Sequence, residues 1–364
     1  RKRKQKWFTF RGNKQDAEAK LTELLNKVNN NELVDPSKIT FGEWLDHWLK
    51  LAIKPPTRRL RTYESYKSII DRHLKPQLGH IRLQELDFTH LEHYYLSASN
   101  KLSQTSLEHH HVIISGALKS AQKKRKVKQN VAKLVSNRPR RPEEQQDALN
   151  HCWDEAVAKK FLATAKSFGS QPAAFYALAL DSGMRKGELC GLKWVNVDLK
   201  GRKVRVMEQL IKPGPDPIYG PTKGGRHRTI HISPQTAALL VTHRKSQAEI
   251  KMKNRKHYDD QGLVFAKEWK ERTRRWHQLG HPLGMNNIGQ REFAEIIEDA
   301  EVRKIKFHGL RHTCATLLLR AGVPVKVVQE RLGHKKVEIT MNIYQHVLPD
   351  MQEDAAAKLG AILF

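Results

Sequence analysis

Residues 307–347 read FHGLRHTCATLLLRAGVPVKVVQERLGHKKVEITMNIYQHV, and the rest of the chain is organised around them. Cys314, Leu317 and Leu318 share one face of a predicted helix that stops at Gly322. A second helix opens at Pro324, carries Val327, Val328 and Leu332, and stops at Gly333. Proline has no N–H to lose at a helix start, and glycine tolerates the left-handed exit, so this punctuation marks two helices. Both read as core-packed scaffold, and the polar residues at their ends are what they position. A third segment spaces Ile339, Ile343 and Val347 four apart. Tyr344 lies beside that stripe, so packing fixes its backbone while its hydroxyl points elsewhere. His308, Arg311, His334 and Tyr344 thus fall in one short region.

The chain has 364 residues, enough for two domains and a small third. Its 66 Lys and Arg stand against 38 Asp and Glu, a formal charge of +28 spread over the whole length. Such a surplus points to a polyanionic partner, nucleic acid first. There is no apolar run of the ~18 residues a membrane span needs. The opening RKRKQKWF lacks the apolar core of a signal peptide. Cys152, Cys190 and Cys314 form neither a disulfide framework nor a zinc-ligand pattern, and read as buried small hydrophobes. The expected compartment is the cytoplasm.

In chain order, WFTFR alternates like a strand, and Asn13 and Asp16 open a helix with Ala17, Leu21, Leu24, Leu25 and Val28 on one stripe. Residues 1–30 therefore read as a partial strand-and-helix module, and 31–38 as a linker. Residues 39–136 read as a helical bundle. Its faces are Phe41, Trp44, Leu45, Trp48 and Leu49; then Tyr63, Tyr66, Ile69, Ile70 and Leu74; then Leu91, Tyr94 and Tyr95; then Val112, Ile113, Leu118 and Ala121. The last helix runs into Lys123, Lys124, Arg125, Lys126 and Lys128, candidates for contact with DNA phosphates. Residues 137–148 are a Pro-containing linker, and the second domain spans 149–364. Within it, 194–198, 203–207 and 228–232 read as short strands, 243–256 as a polar helix, and Ala174, Leu178 and Leu180 as a buried helix ending near Gly183.

Polar residues at element ends supply a set for chemistry. Arg185 follows Gly183 before a helix start. Lys223 lies in PTKGGRHRTIHI, at what reads as a hairpin tip. His308 and Arg311 are three apart and face one way on a helical turn, and His334 follows the stop at Gly333. Two arginine forks match phosphate oxygens and can hold the added charge of a pentavalent transition state. A Tyr hydroxyl, with a reference pKa of about 10, needs a base or strongly positive surroundings to attack at neutral pH. A histidine can take its proton, and a lysine can supply one to the leaving oxygen. The sequence shows no clustered carboxylates of the sort that hold Mg²⁺, and no cofactor is expected. Singly, a His is more often structural and a Tyr beside an apolar stripe more often core. The joint pattern, HxxR, then LGH at a helix stop, then Tyr, is what argues for chemistry.

SGMRKGELCGLKW, PTKGGRHRTIHI, FHGLRHTCATLLLRAG and VVQERLGHKKVEITMNIYQHV together resemble the tyrosine recombinases of the phage-integrase family. The resemblance implies a mainly α fold with a small antiparallel sheet. It implies a two-domain DNA clamp: a helical core-binding bundle plus a mixed α/β catalytic domain. Residues 1–30 resemble the end of a small α+β arm-binding domain, which implies the integrase of a phage or conjugative transposon. It implies Arg185, Lys223, His308, Arg311, His334 and Tyr344 as the catalytic set. Lys223 would be the general acid, His334 a phosphate ligand and Tyr344 the nucleophile. Glu188 would support them. It further implies cleavage and rejoining of duplex DNA at specific attachment sites through a 3′-phosphotyrosyl link and a Holliday junction. Four protomers would act together, DNA-bending accessory factors could join them, and residues 350–364 would form a tail helix docked into a neighbour. The competing readings are a type IB topoisomerase-like relaxer and a catalytically silent DNA-binding protein of the same fold.

Overall fold

The computed structural model describes residues 9–29, 36–140, 152–222, 225, 227–268, 278–334, 337–338, 340–341, 357 and 359–363. The chain divides into two compact units, Arg1–Glu144 and Gln145–Phe364. It is mainly helical with small antiparallel sheets.

The first unit begins with α1 (Lys14–Asn29), entered where Asn13 Oδ1 accepts the Asp16 N–H at 2.8 Å. Residues 9–11 hold no strand, which corrects the expectation for the described part of WFTFR; a lone strand has no ladder partner to stabilise it. The stripe on α1 is uncovered, with Leu21 and Leu25 more than half exposed. Next come α2 (Phe41–Trp48), α3 (Leu60–Ile69), α4 (Lys75–Leu78), α5 (Phe88–Ser99) and α6 (Gln104–Lys123). α2 opens with a reciprocal cap: Thr40 Oγ1 accepts the Glu43 N–H, and Glu43 accepts that of Thr40. Its Phe41, Trp44, Leu45 and Trp48 are buried, and Trp44 Nε1 donates to the Ala117 carbonyl of α6 at 2.9 Å. On α6 the buried rows are Leu107, Ile114, Leu118 and Ala121 beside His110, Ile113 and Ala117. Val112, expected among them, is exposed, because it lies on the opposite side of the helix from Ile114.

The second unit is built around α8 (Ser170–Ser182), buried on nearly every side. It packs against α7 (Glu155–Ser167), α10 (Pro234–Lys253) and α13 (Gly309–Arg320). Between α8 and α10 come α9 (Lys186–Cys190) and five strands: β1 (Val197–Asp198), β2 (Lys203–Val206), β3 (Glu208–Lys212), β4 (Ile218–Pro221) and β5 (Arg228–His231). Then follow α11 (Met285–Asn287), α12 (Phe293–Asp299), α13 and α14 (Val325–Leu332). Trp153, Phe161, Phe293 and Phe307 form a core with Phe175 and Tyr176 of α8. A smaller cluster of Cys314, Ala315, Leu319, Val328 and Leu332 locks α13 to α14. All three cysteines are buried, and none is joined in a disulfide.

The structure corrects several expectations in this unit. The strand expected over 194–198 is a 3₁₀ turn at Trp194–Asn196 followed by β1. The polar helix starts at Pro234 rather than 243, because Ser233 Oγ accepts the Thr236 N–H and proline fits the first turn. β3 and β4 form an antiparallel pair of their own, whereas β5 pairs with β2 in the order β1-β2-β5. β4 and β5 therefore lie in different sheets, and Lys223, expected at a hairpin tip, falls between them outside the described residues. Val327, expected on the buried face of α14, is exposed beside buried Val328. The stripe of Ile339, Ile343 and Val347 lies outside the described residues, as does most of 350–364. No helix among the described residues is long and apolar enough to cross a membrane.

Candidate active site

Four helix ends meet in the second unit. α8 exits through Gly183 in the left-handed region (φ 61°), and α14 exits through Gly333 in the same way (φ 66°). A Cβ at Gly183 would sit 2.4 Å from Leu332 Cδ2 and 3.2 Å from Cys314 Sγ, so α8 and α14 can approach only with glycine there. The salt bridge of Arg331 to Asp181 (2.9 Å) ties the same two ends.

The last carbonyls of α14 point into this junction, and three arginines take them in succession. Arg228 Nε donates to the Arg331 carbonyl (2.9 Å), Arg311 Nη2 to Leu332 (2.6 Å) and Arg185 Nη2 to Gly333 (3.3 Å). Carbonyls left unpaired at a helix C-terminus carry its negative partial charge, so guanidinium groups are favoured there. Arg311 also donates to the Gly183 carbonyl at 2.7 Å, closing α8 against α14. Burial, then the nearby charge of Arg185, pushes its pKa down to about 9, which still leaves it charged at neutral pH.

Arg185 caps α9 from an extended backbone conformation. Its backbone N–H and Nη1 both donate to Glu188, each at 3.0 Å. The Glu188 carboxylate is fully buried and also takes both Nη groups of Arg228, at 3.2 and 2.7 Å. Burial alone would raise its pKa, but the bonds from Arg228 and Arg185 outweigh it and hold the carboxyl below the usual range.

His334 follows Gly333, and its Nδ1 lies 2.9 Å from Thr340 Oγ1. Burial, then the charges of Arg311, Arg185, His312 and His308, pushes its pKa down to about 3. The imidazole is neutral at neutral pH. In the tautomer in which Nδ1 accepts from the Thr340 hydroxyl, the ring proton is on Nε2, from which it can donate to an anion. His308 is exposed at the start of α13, its ring 5.0 Å from that of His312.

Arg185, Arg311, His334, His308 and Glu188 are thus one cluster with an excess of positive charge. Lys223 and Tyr344 lie outside the described residues. Lys123, Lys124, Arg125, Lys126 and Lys128 belong to the first unit and are all exposed where α6 ends. Arg228, His312 and Thr340 were not foreseen. The signal for Arg228 was its place in RHRTIHI after Lys223; its partner Glu188 is 40 positions away.

Such an arrangement can bind a phosphodiester and hold added charge on its oxygens without a metal. Residues 152–351 match the family described as "Phage integrase family", and residues 40–102 match "Phage integrase, N-terminal SAM-like domain". The chain is 29% identical to a "Tyrosine recombinase XerC-like" of Caldanaerobacter subterraneus over 95% of this chain and 89% of that relative. It is 24% identical to the integrase of Staphylococcus phage L54a, over 95% and 99%. Among solved structures, the Tn1549 transposon integrase with a circular intermediate DNA superposes with a TM-score of 0.68 at 17% identity, over 87% of this chain and 99% of that one. A lambda integrase dimer bound to a COC′ core site gives 0.64 at 17% identity, over 84% and 95%.

Proposed function

Because this chain belongs to the phage integrase family, we propose that its positive cluster grips the scissile phosphate of duplex DNA for site-specific recombination by a mobile element's integrase. The observation that carries the assignment is the trio of arginines on the α14 carbonyls, which holds Arg185 and Arg311 in position before any DNA arrives. Tyr344 is the nucleophile. Its oxygen forms a bond to phosphorus, the bond from phosphorus to the 5′ oxygen breaks, and Lys223 supplies the proton that oxygen takes. His308 receives the phenolic proton. Neutral His334 donates from Nε2 to a phosphate oxygen, and Arg185 and Arg311 hold the added charge. The freed 5′ hydroxyl of a partner duplex then attacks the phosphotyrosyl link. One phosphodiester replaces another, so no ATP is needed; the first exchange gives a Holliday junction and the second resolves it.

Relatives solved on DNA, including a lambda integrase dimer on its core site, support duplex DNA as the partner. Assembly is a tetramer, with the tail docked into a neighbour. Leu359, Ile362 and Leu363 are each more than half exposed, apolar surface that a neighbouring protomer would cover. The test is strand joining between two duplexes carrying the element's attachment sequences. Joined products and four-way junctions are expected. Relaxation of any supercoiled plasmid without joining would support the relaxer instead, and specific binding with neither product would support the silent binder.

A further inference from the structure

Arg228 has no place among the groups given chemistry above, yet each of its three nitrogens donates to the protein at the centre of the site. Resting on the recombinase reading, we propose that Arg228 is a positioning residue that occupies Glu188 so that the charge of Arg185 stays available to the phosphate. A buried carboxylate offers two oxygens and one negative charge. Arg228 reaches both oxygens with its two Nη groups, at 3.2 and 2.7 Å. Arg185 reaches only Oε1 with its side chain and sets its other Nη on the Gly333 carbonyl. The side chain of Glu188 is fully buried, that of Arg228 is 10% exposed and that of Arg185 is 20% exposed, so the more open guanidinium is the one left to meet a ligand.

Without Arg228, Oε2 of the buried carboxylate keeps only the backbone N–H of Arg185, and one cation remains beside it. Fork-to-fork pairing is the strongest arrangement open to an arginine and a carboxylate. Arg185 would swing off the Gly333 carbonyl and close on Glu188, and its charge would be cancelled where a phosphate should find it. The slot for Arg228 is itself built in: a Cβ at Gly333 would lie 3.2 Å from Cδ and Nη1 of Arg228.

The test compares the wild type, R228M, E188Q and R228M/E188Q on a nicked suicide duplex cut from the element's attachment site. R228M is expected to cleave at least tenfold more slowly with duplex affinity held within threefold. Adding E188Q removes the charge that traps Arg185, so the double variant is expected to match E188Q alone within about threefold. R228M cleaving at the wild-type rate, or a double variant as slow as the product of the two single losses, overturns the proposal. Should R228M fail to fold, R228K, which keeps the charge but cannot fork, enters the same cycle and is judged by the same non-additivity. A DNA-free crystal structure of the folded variant, R228M or otherwise R228K, gives a reading independent of cleavage. Arg185 forked onto Glu188 supports the proposal, and Arg185 unmoved on Gly333 overturns it. Absence of any adduct with the wild type would reject the recombinase reading and leave this structural outcome standing.

Discussion

Three consecutive carbonyls, those of Arg331, Leu332 and Gly333, each hold a different guanidinium, and this single arrangement aligns the cationic face of the site. Removing one member is felt twice, in folding and in chemistry. Arg311→Lys cannot reach both Gly183 and Leu332, so it is expected to lose about 2 kcal/mol of stability in a urea titration. Its covalent-adduct rate should fall about 100-fold or more, as for the loss of one oxyanion donor. Gly183→Ala adds a Cβ 2.4 Å from Leu332 at a left-handed position, and should cost at least about 1–2 kcal/mol by the same titration. Arg185, Arg311 and His334 were legible in the sequence because they stand within two residues of a glycine helix stop or inside HxxR. Arg228 was not, because its meaning comes from Glu188 and α14, which folding brings to it. His308 and Arg311 were expected to face one way; the fold buries Arg311 and leaves His308 exposed at the helix start, within electrostatic reach of His334.

At the scale of elements, α5 and α6 carry a polar seam inside an apolar core. Tyr94 and Tyr95 pair through their hydroxyls with Nδ1 of His110 and His111, at 2.6 and 2.9 Å. Burial, then neighbouring positive charge, pushes both histidines down to about 4. Their folded values lie below the unfolded value of about 6.5, so the unfolded chain binds protons first as pH falls. Stability of the first unit is therefore full above about pH 6.5 and declines toward pH 4, by up to about 1.4 kcal/mol per pH unit for each histidine. Urea titrations at pH 7.5, 6 and 5 should show this slope, and His110→Phe should flatten part of it; equal stability at all three pH values would contradict it. The helices of this unit were readable from their i, i+3, i+4 rows. The hairpin of β3 and β4 was not: its strands carry charge, glycine and proline, and lack clean alternation.

At the scale of the whole molecule, a charge of +28 makes affinity for duplex DNA steeply salt-dependent. The basic run past α6 is well placed to contribute. Val127 is buried, Gln84 and Gln122 hold the carbonyls of Lys126 and Lys128, and the charged heads remain exposed. Replacing Lys123, Lys124, Arg125, Lys126 and Lys128 with glutamine should lower the slope of log affinity against log salt by about one for each DNA phosphate no longer neutralised. An unchanged slope in filter binding would remove this run from the interface. In the reaction we propose, strand exchange turns on Tyr344 meeting a phosphate held by Arg185 and Arg311. The most direct measurement is mass spectrometry of the wild type after reaction with a nicked suicide duplex from the attachment site. A 3′-phosphate-linked DNA fragment on the peptide carrying Tyr344, absent in Tyr344→Phe, is the predicted result; an adduct on another residue, or one that survives Tyr344→Phe, would contradict it.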